Sequence, residues 1–153
     1  MKKKRIALVA HDNMKSDLAQ WVDWNWEILI NHHLICTGTT GKLVAKTLID
    51  RHGNDNARFD MTFLKSGPLG GDQQLGSSIA EGEIDVLIFF WDPMMAQPHD
   101  VDVKALLRLA SVYNVPTAMN RSSADFLISS PFFVGEYTRV IKDYNSYVER
   151  VIK

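Results

Sequence analysis

The stretch Ser66-Gly67-Pro68-Leu69-Gly70-Gly71-Asp72-Gln73-Gln74 concentrates more chemistry than any other part of the chain. Three glycines and a proline within six positions serve little purpose as packing. A turn of that composition lets backbone approach a ligand closely and leaves N–H groups free to bind an anion. It also delivers one carboxylate, Asp72, to the start of a helix. A carboxylate beside an anion is repelled by it, so its presence there suggests a task on the ligand. The competing reading is an N-cap aspartate after a tight turn.

A second anion cradle is written in Thr37-Gly38-Thr39-Thr40-Gly41. Gly38 permits a bend, the threonines offer hydroxyls, and the helix expected from Lys42 points its N–H groups at the loop. The spacing is not that of a Walker loop, and no strand leads into G-x-G-x-x-G. A plain Ser/Thr helix cap is the alternative. Ser66 and Gly67 are placed to supply further donors to the same anion. Lys15, in the first turn of its helix, opposes the macrodipole, which a bound anion would offset; as a surface lysine it would merely be solvated.

The third group follows the most apolar run of the chain: Asp92-Pro93-Met94-Met95-Ala96-Gln97-Pro98-His99-Asp100-Val101-Asp102. His99 with Asp92, Asp100 and Asp102 suits an acid/base set or a metal site. Against metal, only His11 and His99 are expected near one another, and no H-x-x-x-H or Cys/His spacing occurs. Asp102 also reads as the N-cap of a helix opening at Val103. His32, His33 and His52 are expected on the far side and solvated. Trp21, Trp24 and Trp26 suit core and subunit contacts, and Met94-Met95 suits a gap under the loop.

The elements that must position these groups alternate. Strands are expected at Arg5 to Ala10, His33 to Thr37, Thr62 to Lys65, Asp85 to Trp91 and Thr117 to Asn120. Helices are expected at Met14 to Ile30, Lys42 to Arg51, Gln73 to Glu81, Val103 to Tyr113, Ser122 to Ser129 and Asp143 to Ile152. The unbroken run Val86-Leu87-Ile88-Phe89-Phe90 suits a central parallel strand covered on both faces. The pattern predicts a single domain over residues 1–153, an α/β fold with a parallel sheet between layers of helices. His52 to Asp60 is expected to be a solvated loop. In such a sheet ligands bind beyond the carboxyl ends of the strands, where His11-Asp12, Thr37 to Gly41, Ser66 to Gln74, Asp92 to Asp102 and Asn120 would gather. The opposite loops, Glu81-Gly82-Glu83 and Tyr113-Asn114-Val115-Pro116, read as plain turns.

Composition narrows the function. With 153 residues, 46% hydrophobic and 23% charged, the chain suits one soluble domain. A net charge of −1 argues against nucleic acid or a polybasic membrane role. Lys2-Lys3-Lys4-Arg5 mimics a signal-peptide start, but the apolar stretch from Ile6 to Ala10 is too short for one. The single cysteine, Cys36, excludes an intrachain disulfide and fits a reducing, cytoplasmic setting.

A phosphate cradle, a carboxylate and a histidine on one edge, with no cofactor motif, suit proton abstraction beside a carbonyl in a small phosphorylated substrate. Triosephosphate isomerase combines the same parts. The chain resembles the methylglyoxal synthase family. The resemblance rests on Ala10-His11-Asp12 with Lys15, on Thr37 to Gly41, and on Ser66 to Gln74 followed by Gly76. It continues through Phe89-Phe90-Trp91-Asp92-Pro93, Pro98-His99-Asp100, Asp102 to Arg108 and Asn120.

The resemblance implies conversion of dihydroxyacetone phosphate to methylglyoxal and inorganic phosphate without metal or cofactor. Asp72 would be the base and His99 would polarise the carbonyl and move protons between the enediolate oxygens. Asp102 would support catalysis near His99, with Asp12 and Asp92 as outer acidic members. His11, Lys15, Thr37, Gly38, Thr39, Thr40, Ser66 and Gly67 would hold substrate, most of them at the phosphate. The family's three-layer α/β/α sandwich has a sheet of five parallel strands with the first near the middle. It also implies a homohexamer inhibited by phosphate. Two departures stand out: Gly53 to Arg58 lengthen the connection from Lys46 to Phe63, and Val101 replaces a familiar proline. The main rival is a regulatory ligand-binding domain of the kind found in carbamoyl phosphate synthetase, which needs the cradle but not Asp72 and His99 together. An isomerase or other lyase of related sugar phosphates and a metal-dependent phosphatase are more distant rivals.

Overall fold

The computed structural model describes residues 2–52 and 59–151. Five parallel strands, β1 (Arg5–Ala10), β2 (His33–Thr37), β3 (Met61–Leu64), β4 (Val86–Phe90) and β5 (Thr117–Ala118), form one sheet in the order β3-β2-β1-β4-β5. The first strand is therefore the central one. The chain winds outward from β1 through β2 to β3, then crosses to β4 on the other side. That reversal opens a crevice beyond the carboxyl ends of β1 and β4, where His11 and Asp92 emerge.

Eight helices are described: α1 (Lys15–Trp24), α2 (Trp26–Leu29), α3 (Gly38–His52), α4 (Gly71–Ala80), α5 (Asp100–Val112), α6 (Arg121–Ser129), α7 (Pro131–Val134) and α8 (Asn145–Val148). Single 3-10 turns at Asp12–Met14 and Gly67–Leu69 lead into α1 and α4. The two-residue period of the strands divides the core. Ile6, Leu8 and Ala10 of β1 pack with Leu18, Trp21 and Val22 of α1, Val44 and Leu48 of α3, and Ala124 and Ile128 of α6. Ala7 and Val9 face Leu75 and Ile79 of α4 and Val103, Leu106 and Ala110 of α5. Each fully buried Leu, Ile or Phe contributes roughly 1.5–3 kcal/mol. Both faces of the central strands are covered, which is why they read as unbroken apolar runs. Among the described residues no helix is long and apolar enough to cross a membrane.

Several boundaries depart from expectation for local reasons. The helix expected over Met14 to Ile30 breaks at Asn25, whose side-chain Nδ2 donates to the Trp21 carbonyl at 2.9 Å and competes with the helical ladder. Helix α3 begins at Gly38 rather than Lys42, and α5 at Asp100 rather than Val103. Asp102 thus stands in the first turn of α5 and is not its N-cap; that position belongs to His99. Strand β3 sits one residue earlier than expected, and β5 is shorter. Ser130-Pro131 opens the unforeseen α7, with the Ser130 hydroxyl accepting from the Phe132 N–H. The terminal helix shrinks to α8, one turn with no buried residue, because a helix without an apolar face to bury is marginal.

His32 is buried rather than solvated: its Nδ1 accepts from the Lys4 N–H at 3.1 Å and its ring meets Phe133 edge-on. His33 is half-buried and lies 3.0 Å from Asp60. Met94 and Met95 are exposed and fill no gap. Trp21 is a core residue, whereas Trp24 is exposed. Of the solvated loop expected over His52 to Asp60, His52 instead closes α3 and Phe59 packs against the core, while residues 53–58, the excess length they add and the His52 side chain lie outside the described residues.

Candidate functional site

A cavity of ≈ 290 Å³ opens beyond the carboxyl ends of β1, β2 and β3. One side is the anion cradle. Helix α3 begins directly after β2, so its N-terminus, with Thr37, Thr39 and Thr40, lines the opening. Gly38 has φ +41, and a Cβ there would lie 2.6 Å from Ser66 Cα. Only glycine lets the two anion-binding turns touch. Lys15 Nζ donates to Asp12 Oδ1 at 2.6 Å and to the Thr39 hydroxyl, holding its charge at the cavity rim.

The other side carries Asp72 and His99. The turn Ser66 to Gly71 places Gly70, with φ +105, at the N-cap of α4, so Asp72 falls in the first helical turn instead of capping it. The residue is 4% exposed, and its side chain makes no cap to the helix. Asp72 Oδ2 lies 3.3 Å from His99 Nε2 and has no hydrogen-bond partner among the described residues. Burial holds the Asp72 pKa above the usual carboxylate range; His99 opposes this and the charge of Asp102 adds to it.

His11 supplies the floor. Its Nδ1 accepts from the Asp92 N–H at 3.1 Å, which leaves the proton of the neutral ring on Nε2. Burial, then the neighbouring His99, lower the His11 pKa. The two rings meet edge to face at 5.9 Å. His11 Nε2, His99 Nδ1 and Asp72 Oδ2 are all buried without hydrogen-bond partners among the described residues, and all three residues line the one cavity. Native proteins seldom leave buried polar atoms unpaired, so this concentration marks a place built to meet polar groups of a ligand.

Residues 26–119 match the family described as MGS-like domain. The methylglyoxal synthase of Maridesulfovibrio salexigens is 60% identical, over 97% of this chain and 98% of its own length. That of Proteus mirabilis is 54% identical over 98% and 93%. The crystal structure of methylglyoxal synthase from Elizabethkingia anophelis NUHP1 is similar with a TM-score of 0.86 and 52% identity, covering 99% of this chain and 93% of that one. The chain belongs to the methylglyoxal synthase family.

Among the residues singled out from sequence, Asp12, His11, Lys15, Thr37, Gly38, Thr39, Thr40, Ser66, Gly67, Asp72 and His99 share this cavity. Asp92 and Asp102 do not line it. Asp92 stands behind His11, where the Met94 N–H and the Asn13 side chain hold its carboxyl below the usual range. Asp102 opens onto a groove between α4 and α5 on the far side of Asp72, with Gly76 and Leu106. Asp12 is exposed, and its bond to Lys15 lowers its pKa. Val101 sits exposed in the first turn of α5, where helical hydrogen bonding constrains the backbone without a proline. Among the described residues no group of three or more His, Cys, Asp or Glu side chains is arranged to hold a metal ion.

Three participants escaped the sequence reading. Pro68 and Gln97 line the cavity, and Asn13 orients Asp92. The position of Gln97, two residues before His99, was the available signal for it. Its side chain donates only to the Met95 carbonyl at 3.3 Å, and its backbone N–H is fixed by Asp100 Oδ2 at 3.1 Å.

The depressed pKa values of His11 and His32 make a prediction for stability. Burial is the leading cause of both, so each ring is held neutral in the folded state. Their contribution is complete above the ordinary histidine value of about 6.5 and is lost as pH falls through the lower folded values. Urea midpoints measured from about pH 7 to pH 5 should therefore decline, and His32→Asn should flatten part of that slope. A slope unchanged by the substitution would refute the assignment.

Proposed function

We propose that the protein converts dihydroxyacetone phosphate to methylglyoxal and inorganic phosphate, as a carbon–oxygen lyase. One observation carries the reading: a buried carboxylate with a raised pKa stands 3.3 Å from a histidine on one wall of a cavity whose opposite wall is an anion cradle. The relatives' shared name supports the same conclusion.

In this mechanism the phosphate sits among the N–H groups of α3, Ser66, Gly67 and Lys15. Asp72 removes a proton from the carbon bearing the free hydroxyl, and His99 stabilises the oxyanion formed at the neighbouring carbonyl. His99 then carries a proton from the terminal hydroxyl to that oxygen. The resulting electron flow forms the aldehyde and breaks the bridging C–O bond. Phosphate leaves, and the enol of methylglyoxal takes a proton at its terminal carbon. Proton transfer by positioned side chains contributes roughly 10²–10⁴-fold; oriented donors at the developing oxyanion supply much of the remainder. Elimination requires the bridging bond to stand across the enediolate plane, whereas an isomerase must hold it within that plane. The position of the cradle relative to Asp72 sets that angle.

The reaction run in D₂O tests the path. The methylglyoxal formed should carry one solvent deuteron in its methyl group and retain one substrate hydrogen on its aldehyde carbon. Dihydroxyacetone with phosphate, or a labelled aldose phosphate, would overturn the reading. Lys15→Met should raise KM roughly 10–100-fold, the worth of a hydrogen bond to a charged group. Unchanged KM and phosphate affinity in that variant would remove Lys15 from the cradle. Inorganic phosphate is expected to compete as a product inhibitor. A homohexamer is the assembly we infer, supported by exposed Trp24 and Phe126 on one groove; sedimentation at a monomer mass would exclude it.

A further inference from the structure

A second cavity, of ≈ 260 Å³, lies at the amino end of the sheet, where Lys4 precedes β1 and Val86 begins β4. Strand β1 has 6 residues, so about 20 Å of sheet separates this cavity from the cradle. Its apolar lining includes Val86, Leu127 and the buried Phe133. The rings of Phe132 and Tyr137, 5.2 Å apart, add an aromatic wall.

Four cationic side chains, Lys2, Lys3, Lys4 and Arg139, also line it, against a single carboxylate, Asp85. That carboxylate is already committed. Asp85 Oδ2 accepts from the Arg5 backbone N–H at 2.8 Å and from Arg5 Nε at 3.1 Å, and Oδ1 accepts from Nη2 at 3.0 Å. Lys2 pairs with Glu136 and Lys3 with Asp60. Lys4 is buried, and its Nζ meets a carbonyl, that of Gly135 at 3.0 Å, rather than an acid. Arg139 Nη1 is buried with no hydrogen-bond partner among the described residues. Against burial, which raises it, the bonds from Arg5 and then the charge of Arg139 hold the Asp85 pKa down. Among the described residues, however, neither Arg139 Nη1 nor Lys4 Nζ bonds an anion, and a buried donor left without a partner is unfavourable.

We propose that this cavity binds a small organic anion, its carboxylate or phosphate head between Arg139 and Lys4 and a flat apolar body against Phe132, Phe133 and Tyr137. The planar guanidinium suits either head. The volume falls just below the roughly 300–1,000 Å³ of drug-sized sites, which limits the body to about a single ring. The aromatic lining offers nothing to a wholly polar triose phosphate, so this is not a second substrate site. The inference is independent of the catalytic reading.

Calorimetric titration of the full chain with phenyl phosphate, benzoate and benzyl alcohol tests it. Phenyl phosphate should fill both the cradle and this cavity in the wild type, and the cradle alone in Arg139→Gln. Benzoate should bind the wild type and weaken at least tenfold in Arg139→Gln, while neutral benzyl alcohol fails to bind either. Among the described residues Arg139 Nη1 has no hydrogen-bond partner to lose, so Tm and the kcat and KM for dihydroxyacetone phosphate should hold. Preference for phenyl phosphate at this site would identify a phosphate head, preference for benzoate a carboxylate. The proposal fails if neither anion binds outside the cradle, if Arg139→Gln binds both as the wild type does, or if benzyl alcohol binds equally well.

Discussion

Asp72→Asn is expected to lose turnover by roughly 10²–10⁴-fold while melting at a higher temperature than the wild type at neutral pH. Both effects have one cause. Burial raises the Asp72 pKa, so ionisation costs the folded state more than the unfolded one. For a carboxyl with a raised folded pKa, the contribution to stability is whole below the unfolded value and is lost as pH rises through the folded value. At neutral pH the wild type bears this penalty and the amide does not. The Tm difference should shrink toward zero as pH falls below the ordinary aspartate value of about 3.9. Phosphate binding should persist, because removing a negative charge near the cradle does not weaken an anion. A fully active Asp72→Asn would remove Asp72 from the role of base; Asp102, which opens onto the groove behind it, does not line the cavity. A lower Tm at neutral pH would show that Asp72 serves as a structural partner.

Gly67→Ala and Gly71→Ala should separate function from folding within one turn. A Cβ on Gly67 would lie 2.8 Å from His99 Nε2 and 3.1 Å from Asp72 Oδ2. Both are side-chain ends, so they yield and the backbone stays. The reacting groups are displaced, and displacement on the scale of 1 Å costs about 10²-fold in rate. Tm should change little. A Cβ on Gly71 would lie 2.0 Å from the Lys65 carbonyl oxygen, which is backbone and cannot turn aside. That variant should lose stability on the order of 3 kcal/mol. Equal loss of Tm in both variants would show that the Ser66 to Gly71 turn serves the fold alone.

The central strands were legible in the sequence because their signal is local: a strand covered on both faces must be apolar throughout, and Val86 to Phe90 is. The parallel sheet was equally accessible, since strands and helices alternate, whereas the place of the first strand near the middle was implied only by the family resemblance. Helix starts were less legible. Thr37 to Gly41 reads as a loop, yet β2 runs straight into α3 through Gly38, where Ser66 lies too close for any side chain. No window of sequence contains that contact. The same limitation hid His32, whose partner, the Lys4 N–H, is 28 positions away. It also hid the separation of Asp102 from the cavity. Spacing places Asp102 three residues after His99, but the first turn of α5 directs it to the groove behind Asp72. Motif residues gathered at one edge were readable as a set, whereas the unpartnered Nη1 of Arg139, in the cavity that Lys4 also lines, emerges only from the folded chain.

The most direct test of the central claim is to give chelator-treated protein dihydroxyacetone phosphate and assay methylglyoxal and free phosphate together. The predicted result is equal release of both, above the spontaneous rate. Phosphate without methylglyoxal would contradict the claim and indicate a phosphatase. Neither product, with phosphate still bound tightly, would contradict it as well and leave the cradle as part of a ligand-binding domain.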